Sequence, residues 1–353
     1  MGLLAFSSAL RRSRKARNNQ RMTLALSVLD LAPVPTGTSA AEALRRTVDL
    51  ARLADRLGFH RYWFAEHHSM ASVASSAPDI LIAHVAAATQ RIRVGSGGMM
   101  LPNHAPLRIV EIFKTLEALH PGRIDLGIGR APGSEPAATR ALRAAGPEHF
   151  SALMSELLQF AAGGFQGGHP FHRVRPMPSE TTMPPIWILG STGASARAAG
   201  AVGMGYSFAS HFSAEPPRDA FEAYRDAFKP SGVFAKPHAI LGVEVVCADS
   251  AEEADRLATT MDLAWLRINR SEFLPLPSPE EVEAYPWSEI ERVQAQQRRA
   301  LMVVGDPGQV RDALLQRAAT SGADEIMVVS NVHDHGKRLR CYELLAEVLP
   351  QLG

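Results

Sequence analysis

Apolar positions in this chain come in short continuous runs alternating with longer stretches of helical periodicity. Residues 24–29 form a run of strand length, followed by a Pro/Gly/Thr loop over 33–38. Ser39 and Glu42 have the spacing of a capping box, and Leu50, Leu53, Ala54 and Leu57 share a helical face that Gly58 ends. Residues 61–65 predict a strand and 77–89 an Ala-rich helix, capped by Ser76 with Pro78 in its first turn. A strand over 92–99 and a helix over 107–119, stopped by Pro121 and Gly122, come next. The alternation continues with a strand at 124–129, a helix at 148–162 and a long loop or hairpin at 163–185. Strands at 186–189, 206–209 and 238–248 are followed or separated by helices at 194–201 and 217–228. A strand at 325–329 and a helix at 339–349 close the series.

Eight strand candidates, each followed by a helix, predict an α/β fold of the (β/α)8 TIM-barrel type, spanning 22–353 as one domain. An open doubly wound sheet is the structural alternative. Residues 264–300, with Pro275, Pro277, Pro279 and Pro286, fit neither element type. They interrupt the seventh β/α unit and predict an excursion over one end of the barrel, a lid in functional terms.

Charge changes the picture at one place. Residues 1–21 carry Arg11, Arg12, Arg14, Lys15, Arg17 and Arg21 without an acid, and the charge follows the short apolar start instead of preceding it. That order is the reverse of a secretory signal. A transit-like segment is one reading. An extension outside the fold, with Met22 starting the ordered chain, is the simpler one.

Elsewhere 37 basic and 36 acidic side chains nearly cancel, so no global field recruits nucleic acid. No apolar run approaches the roughly 18 residues of a membrane span. The two cysteines, Cys247 and Cys341, are far apart and form no CxxC pair. They predict buried thiols in a reducing compartment such as the cytoplasm.

In such a barrel, function sits where strands end. Glu66, His67 and His68 follow the second strand; Pro102, Asn103 and His104 the third; Arg130 the fourth. Ser191 to Ser195 follow the fifth, Ser210 and His211 the sixth, and Asn331, His333 and His335 the last. Six of the 13 histidines are thus predicted on one rim, which marks a site. Glu66, His67, His68 and His104 could in principle ligate a metal, but no HExxH or HxH spacing supports it, and no metal is predicted.

The turn Gly190-Ser191-Thr192-Gly193-Ala194-Ser195 opens a helix with small residues. Its amides and helix N-terminus suit an anion, which the fork of Arg130 could also reach. Gly95-Ser96-Gly97-Gly98 is odd within a strand. It predicts either a flat ligand resting on bare backbone or a bulge packed against a bulky neighbour.

Several stretches resemble the bacterial luciferase-like flavin-dependent monooxygenases. They are residues 62–68 (YWFAEHH), 94–102 (VGSGGMMLP), 119–130 (LHPGRIDLGIGR), 187–191 (WILGS) and 322–328 (GADEIMV). The likeness covers nearly everything after Met22, and the HDH ending at 333–335 is similar to the single-component, light-independent branch. The resemblance implies a barrel that uses reduced FMN and O2 to oxygenate a small organic substrate. It implies a cis peptide at Gly97-Gly98 beneath the flavin ring, with Met99 beside it. It further implies Arg130, Gly190, Ser191, Gly193, Ala194 and Ser195 around the phosphate, and His67 in catalysis. His67 suits acid–base work because imidazole titrates near neutral pH. Relatives often carry an acid where Gly190 stands, so only a backbone cradle is expected there. A flavin reductase as supplier and a homodimer are implied too. Hydride transfer with a deazaflavin, flavin binding without turnover, and an unrelated phosphate-binding isomerase or aldolase are the alternatives.

Overall fold

Nine strands form one parallel sheet in the computed structural model, which describes residues 24–213 and 215–349. The basic stretch 1–21 lies outside the described residues. The strands are β1 (Ala25–Asp30), β2 (Arg61–Phe64), β3 (Arg93–Met100), β4 (Ile124–Gly129), β5 (Ile186–Gly190), β6 (Gly205–Ala209), β7 (Ala239–Cys247), β8 (Val303–Gly305) and β9 (Glu325–Val329). Parallel ladders run from β1 through β6, then to β7, β9 and back to β1, so eight strands close a barrel. β8 stays outside and pairs with the far end of β7, Val245 to Cys247.

Helices return the chain after each barrel strand. α1 (Ala40–Leu57) follows β1, α2 (Pro78–Ala88) follows β2, and α3 (Pro106–Leu119) follows β3. α4 (Pro136–Ala141) and α5 (Phe150–Ala161) follow β4; α6 (Gly193–Ala201) and α7 (Pro217–Ala227) follow β5 and β6. The seventh unit is enlarged by α8 (Ala251–Asn269), α9 (Pro279–Glu283), α10 (Glu289–Arg299), β8 and α11 (Pro307–Ser321). α12 (His335–Val348) follows β9.

Three local expectations change. Ser39 caps α1 by accepting the Glu42 amide, but the Glu42 carboxylate turns to Arg45 and Arg46, so the box is half made. Ser76 does not cap α2. Its N-cap is Ala77, whose methyl side chain has no oxygen to accept a helix amide. Residues 264–300 are largely helical, because Ser278/Glu281 and Ser288/Glu291 form complete capping boxes and Pro279 starts α9.

Strand alternation divides the core into two shells. Outward side chains such as Leu26, Val28, Phe64, Leu126 and Ile326 pack under the helices. Inward ones, Leu29, Trp63, Ala65, Trp187, Ile240, Met327 and Val329, fill the barrel. Beneath them the amino end is plugged by charge. Buried Arg61 donates to Asp125 at 2.8 Å and to Glu325 at 2.7 Å. Arg93 joins Asp125 at 2.7 Å, and His238 Nε2 joins Glu325 at 2.9 Å. That cluster closes the amino end of the barrel.

Candidate functional site

Past β2 the chain turns over the rim, and Glu66 points back under it with no exposed surface. Its carboxylate accepts the Met100 amide at 2.8 Å, Asn103 Nδ2 at 2.9 Å, His68 Nε2 at 2.8 Å and His104 Nε2 at 2.9 Å. Burial pushes its pKa up, but the bonds from His104, Asn103 and His68 outweigh that and hold it below the ordinary carboxylate range. Glu66 therefore ties the β2 loop to the end of β3. Its histidines spend their Nε2 atoms on that carboxylate. The described residues contain no cluster of His, Cys, Asp and Glu able to hold a metal ion.

Locking Glu66 and His68 orients His67 between them. The His67 amide donates to Ser75 O at 3.0 Å, and its Nδ1 lies 3.3 Å from Gly133 O. A carbonyl only accepts, so in the neutral ring the proton sits on Nδ1 and Nε2 keeps its lone pair. Burial lowers the pKa, so the base form dominates at neutral pH. His211, at the end of β6, is also buried and feels the charge of His67. Burial pushes it down to about 4.

On the strand paired with β2, β3 contains a cis peptide between Gly97 and Gly98, and the register to β4 shifts between Gly97 and Met99. A β-carbon on Gly97 would lie 2.8 Å from Leu29 Cδ1 and 3.1 Å from Trp63 Cβ; one on Gly98 would lie 2.8 Å from Gly127 O. Close packing of the interior and of β4 is thus what demands glycine here. Met99 packs its side chain in the outer shell, so it can offer the rim only backbone.

Two strands further round, Ile128 and Ile188 are in register, which brings Arg130 and Gly190 out of β4 and β5 at one level. Thr192 caps α6, accepting the Ser195 amide at 3.4 Å. Ser195 Oγ bonds Thr192 O at 2.8 Å and Tyr206 OH at 3.1 Å, so β6 buttresses the turn. Among the described residues the Gly193 and Ala194 amides meet no acceptor, and exposed Arg130 has no ion pair. Positive potential converges there. Ser191 is half-buried beside it.

The connections after β2, β3, β6 and β9 carry His67 and His68, His104, His211, and His333 with His335. His335 starts α12, 3.8 Å from Asp49 of α1, and His333 lines a cleft with Pro33, Pro35, Arg46 and Arg338. The sequence reading missed Glu244 and Arg298, a buried ion pair joining β7 to α10. Glu244 follows Ile240 and Gly242 on the inward face of β7, and that alternation was the available signal. The excursion also straps the rim: Ala71 donates to Phe273 O at 3.3 Å, and Leu276 to Val34 O at 2.9 Å.

The chain has known counterparts. Residues 24–325 match the family described as "Luciferase-like monooxygenase". A "Luciferase-like monooxygenase" of Escherichia coli (strain K12) is 43% identical over 94% of this chain and 98% of its own. The solved structure of apo-MsnO8 superposes with a TM-score of 0.84 and 37% identity, covering 93% of this chain and 99% of that one. At 17% and 14% identity, likeness is of fold alone. One such structure is the oxygenating constituent of 3,6-diketocamphane monooxygenase from Pseudomonas putida in complex with FMN (TM-score 0.69, covering 94% of this chain and all, 100%, of that one). The other is an F420-dependent secondary alcohol dehydrogenase with an F420-acetone adduct (TM-score 0.62, with the same 94% and 100% coverage). Matched along almost its whole described length, this chain belongs to the luciferase-like monooxygenase family.

Proposed function

We propose that the carboxyl rim binds FMN, used in its reduced form with O2 to oxygenate a small organic substrate. The observation that carries this reading is the pairing of an anion-ready turn, Gly190 to Ser195 with Arg130, with a side-chain-free strand end beside His67. The residues present fit the group. The Gly193 and Ala194 amides and Arg130 would take the phosphate, and the Gly97-Gly98 backbone would lie along the ring. Bound there, the flavin supplies the redox chemistry with oxygen, which no side chain can perform.

The chain's own contribution is orientation, proton control and exclusion of water. His67 Nε2 holds a lone pair at neutral pH and takes or returns a proton at the reacting face. Glu66 keeps that loop in place through its four donors. The strap at 273–276 and α10 cover the mouth and limit water around charged groups.

Titration with FMN, riboflavin and a deazaflavin, in both redox states, tests the reading. Tighter binding of FMN than riboflavin, with substrate-dependent O2 uptake when reduced flavin is supplied, is the expected result. Failure of every flavin to bind overturns it. Hydride transfer with a deazaflavin is the second reading, favoured by the F420-containing fold neighbour. It predicts turnover without oxygen. A separate flavin reductase as supplier and a homodimer complete the proposal, tested by a coupled assay and by solution mass.

A further inference from the structure

Two buried side chains each hold one nitrogen without a hydrogen-bond partner. His211 is 6% exposed and Arg298 8%, and neither His211 Nδ1 nor Arg298 Nη1 has a hydrogen-bond partner. Ala209 at the end of β6 is in register with Gly242, and His211 packs its ring where a Gly242 side chain would stand, 2.9 Å from Nδ1. Arg298 comes from α10 and spends Nη2 on Glu244, two residues further along the inward face of β7. Both groups therefore meet the same stretch of β7, and His211 feels the charge of Arg298 and of His67.

Burying N–H groups without acceptors costs free energy that the fold recovers only when an acceptor arrives. The Glu244 carboxylate could have occupied both prongs of the guanidinium, but it takes one. The anion-ready turn has its own free amides and exposed Arg130, so the pair is not needed for a phosphate.

We propose that Arg298 and His211 anchor an acceptor oxygen of the organic substrate, a carboxylate or an amide carbonyl, and so set which end of it faces His67. This names substrate chemistry for the site and rests on the oxygenase reading above. The anchor sits on the excursion on one side and on the barrel on the other. Substrate thus bridges the two, and a compound lacking the oxygen leaves the pair unsatisfied.

Ligand-observed NMR or calorimetry with benzoate, benzamide and toluene tests this without flavin or turnover, so its failure is distinct from failure of flavin binding. Wild-type protein should bind benzoate or benzamide at least about tenfold more tightly than toluene. The stronger of the two assigns carboxylate or carbonyl. His211→Phe keeps the ring volume, and the double change Glu244→Gln with Arg298→Gln avoids a stranded buried charge. Each should bring the preference close to unity while the far-UV dichroism stays native. Arg298→Lys, which keeps the charge, should retain part of the preference and guards against misfolding as the cause. A preference unchanged in the variants, or no preference in wild type (including no binding of either oxygen-bearing probe), overturns the proposal.

Discussion

Gly190 leaves the space that Ser195 uses: a β-carbon at position 190 would lie 2.8 Å from the Ser195 β-carbon and closer still to its hydroxyl. The acid that the family resemblance led one to expect at this position is therefore excluded by the packing of the turn itself. Gly190→Asp should displace Ser195 from Thr192 O and Tyr206 OH and put a negative charge beside the proposed phosphate. FMN affinity should fall by on the order of tenfold or more, with riboflavin affinity changed far less. Fluorescence titration with the two flavins reads the difference. Equal losses for both would remove the phosphate from this turn.

Arg130 tests the same feature from the other side. It is exposed and unpaired among the described residues, so Arg130→Ala should leave the melting temperature unchanged. FMN binding should weaken by on the order of ten- to a hundredfold and lose part of its salt dependence. Titration at two ionic strengths decides the matter.

His67 carries the prediction about rate. Replacing it by alanine should slow turnover by on the order of 10²–10⁴ while flavin affinity stays within a few fold. Burial holds its pKa below 6.5, so the working base form survives to lower pH than in a free imidazole. The acid limb of kcat/KM should accordingly fall below pH 6.5 in the wild type and vanish in the variant. A persistent limb would assign that titration to another group.

Much of this was legible in the residues and some was not. The parallel barrel strands are short apolar runs, and because both their faces are buried the runs need no alternation to be seen. The excursion was misread because its physics is inverted. On α10 Ile290 and Val293 are 72% and 47% exposed, whereas Glu291 and Arg298 turn inward to Arg270 and Glu244. Hydrophobic periodicity fails on such a helix. The Ser-x-x-Glu boxes at 278–281 and 288–291 were the signals that remained. Glu66 escaped as the organiser of the rim because three of its four partners lie on the stretch 100–104, 34 to 38 residues away, a relation no local pattern encodes.

Arg61 governs stability instead of catalysis. Its removal would leave Asp125 and Glu325 as buried, under-compensated charges, and Arg61→Ala should cost about 3–5 kcal/mol by denaturant unfolding. For Glu325, burial pushes the pKa up, but Arg61 and His238 more than reverse it, and the folded-state value lies well below the ordinary 4.5. A carboxylate with a depressed folded-state pKa contributes stability that is present above its unfolded value and lost as pH falls. Unfolding free energy of the wild type should therefore drop as pH falls below 4.5, and the drop should be shallower in Arg61→Ala.

The ion cluster at the amino end has one further consequence. It cements the staves of the barrel at the end remote from the proposed flavin site, so cohesion and the proposed chemistry reside at opposite poles of one cylinder. Changes to the seventh insertion and the rim loops therefore leave the ties that keep the cylinder shut in place.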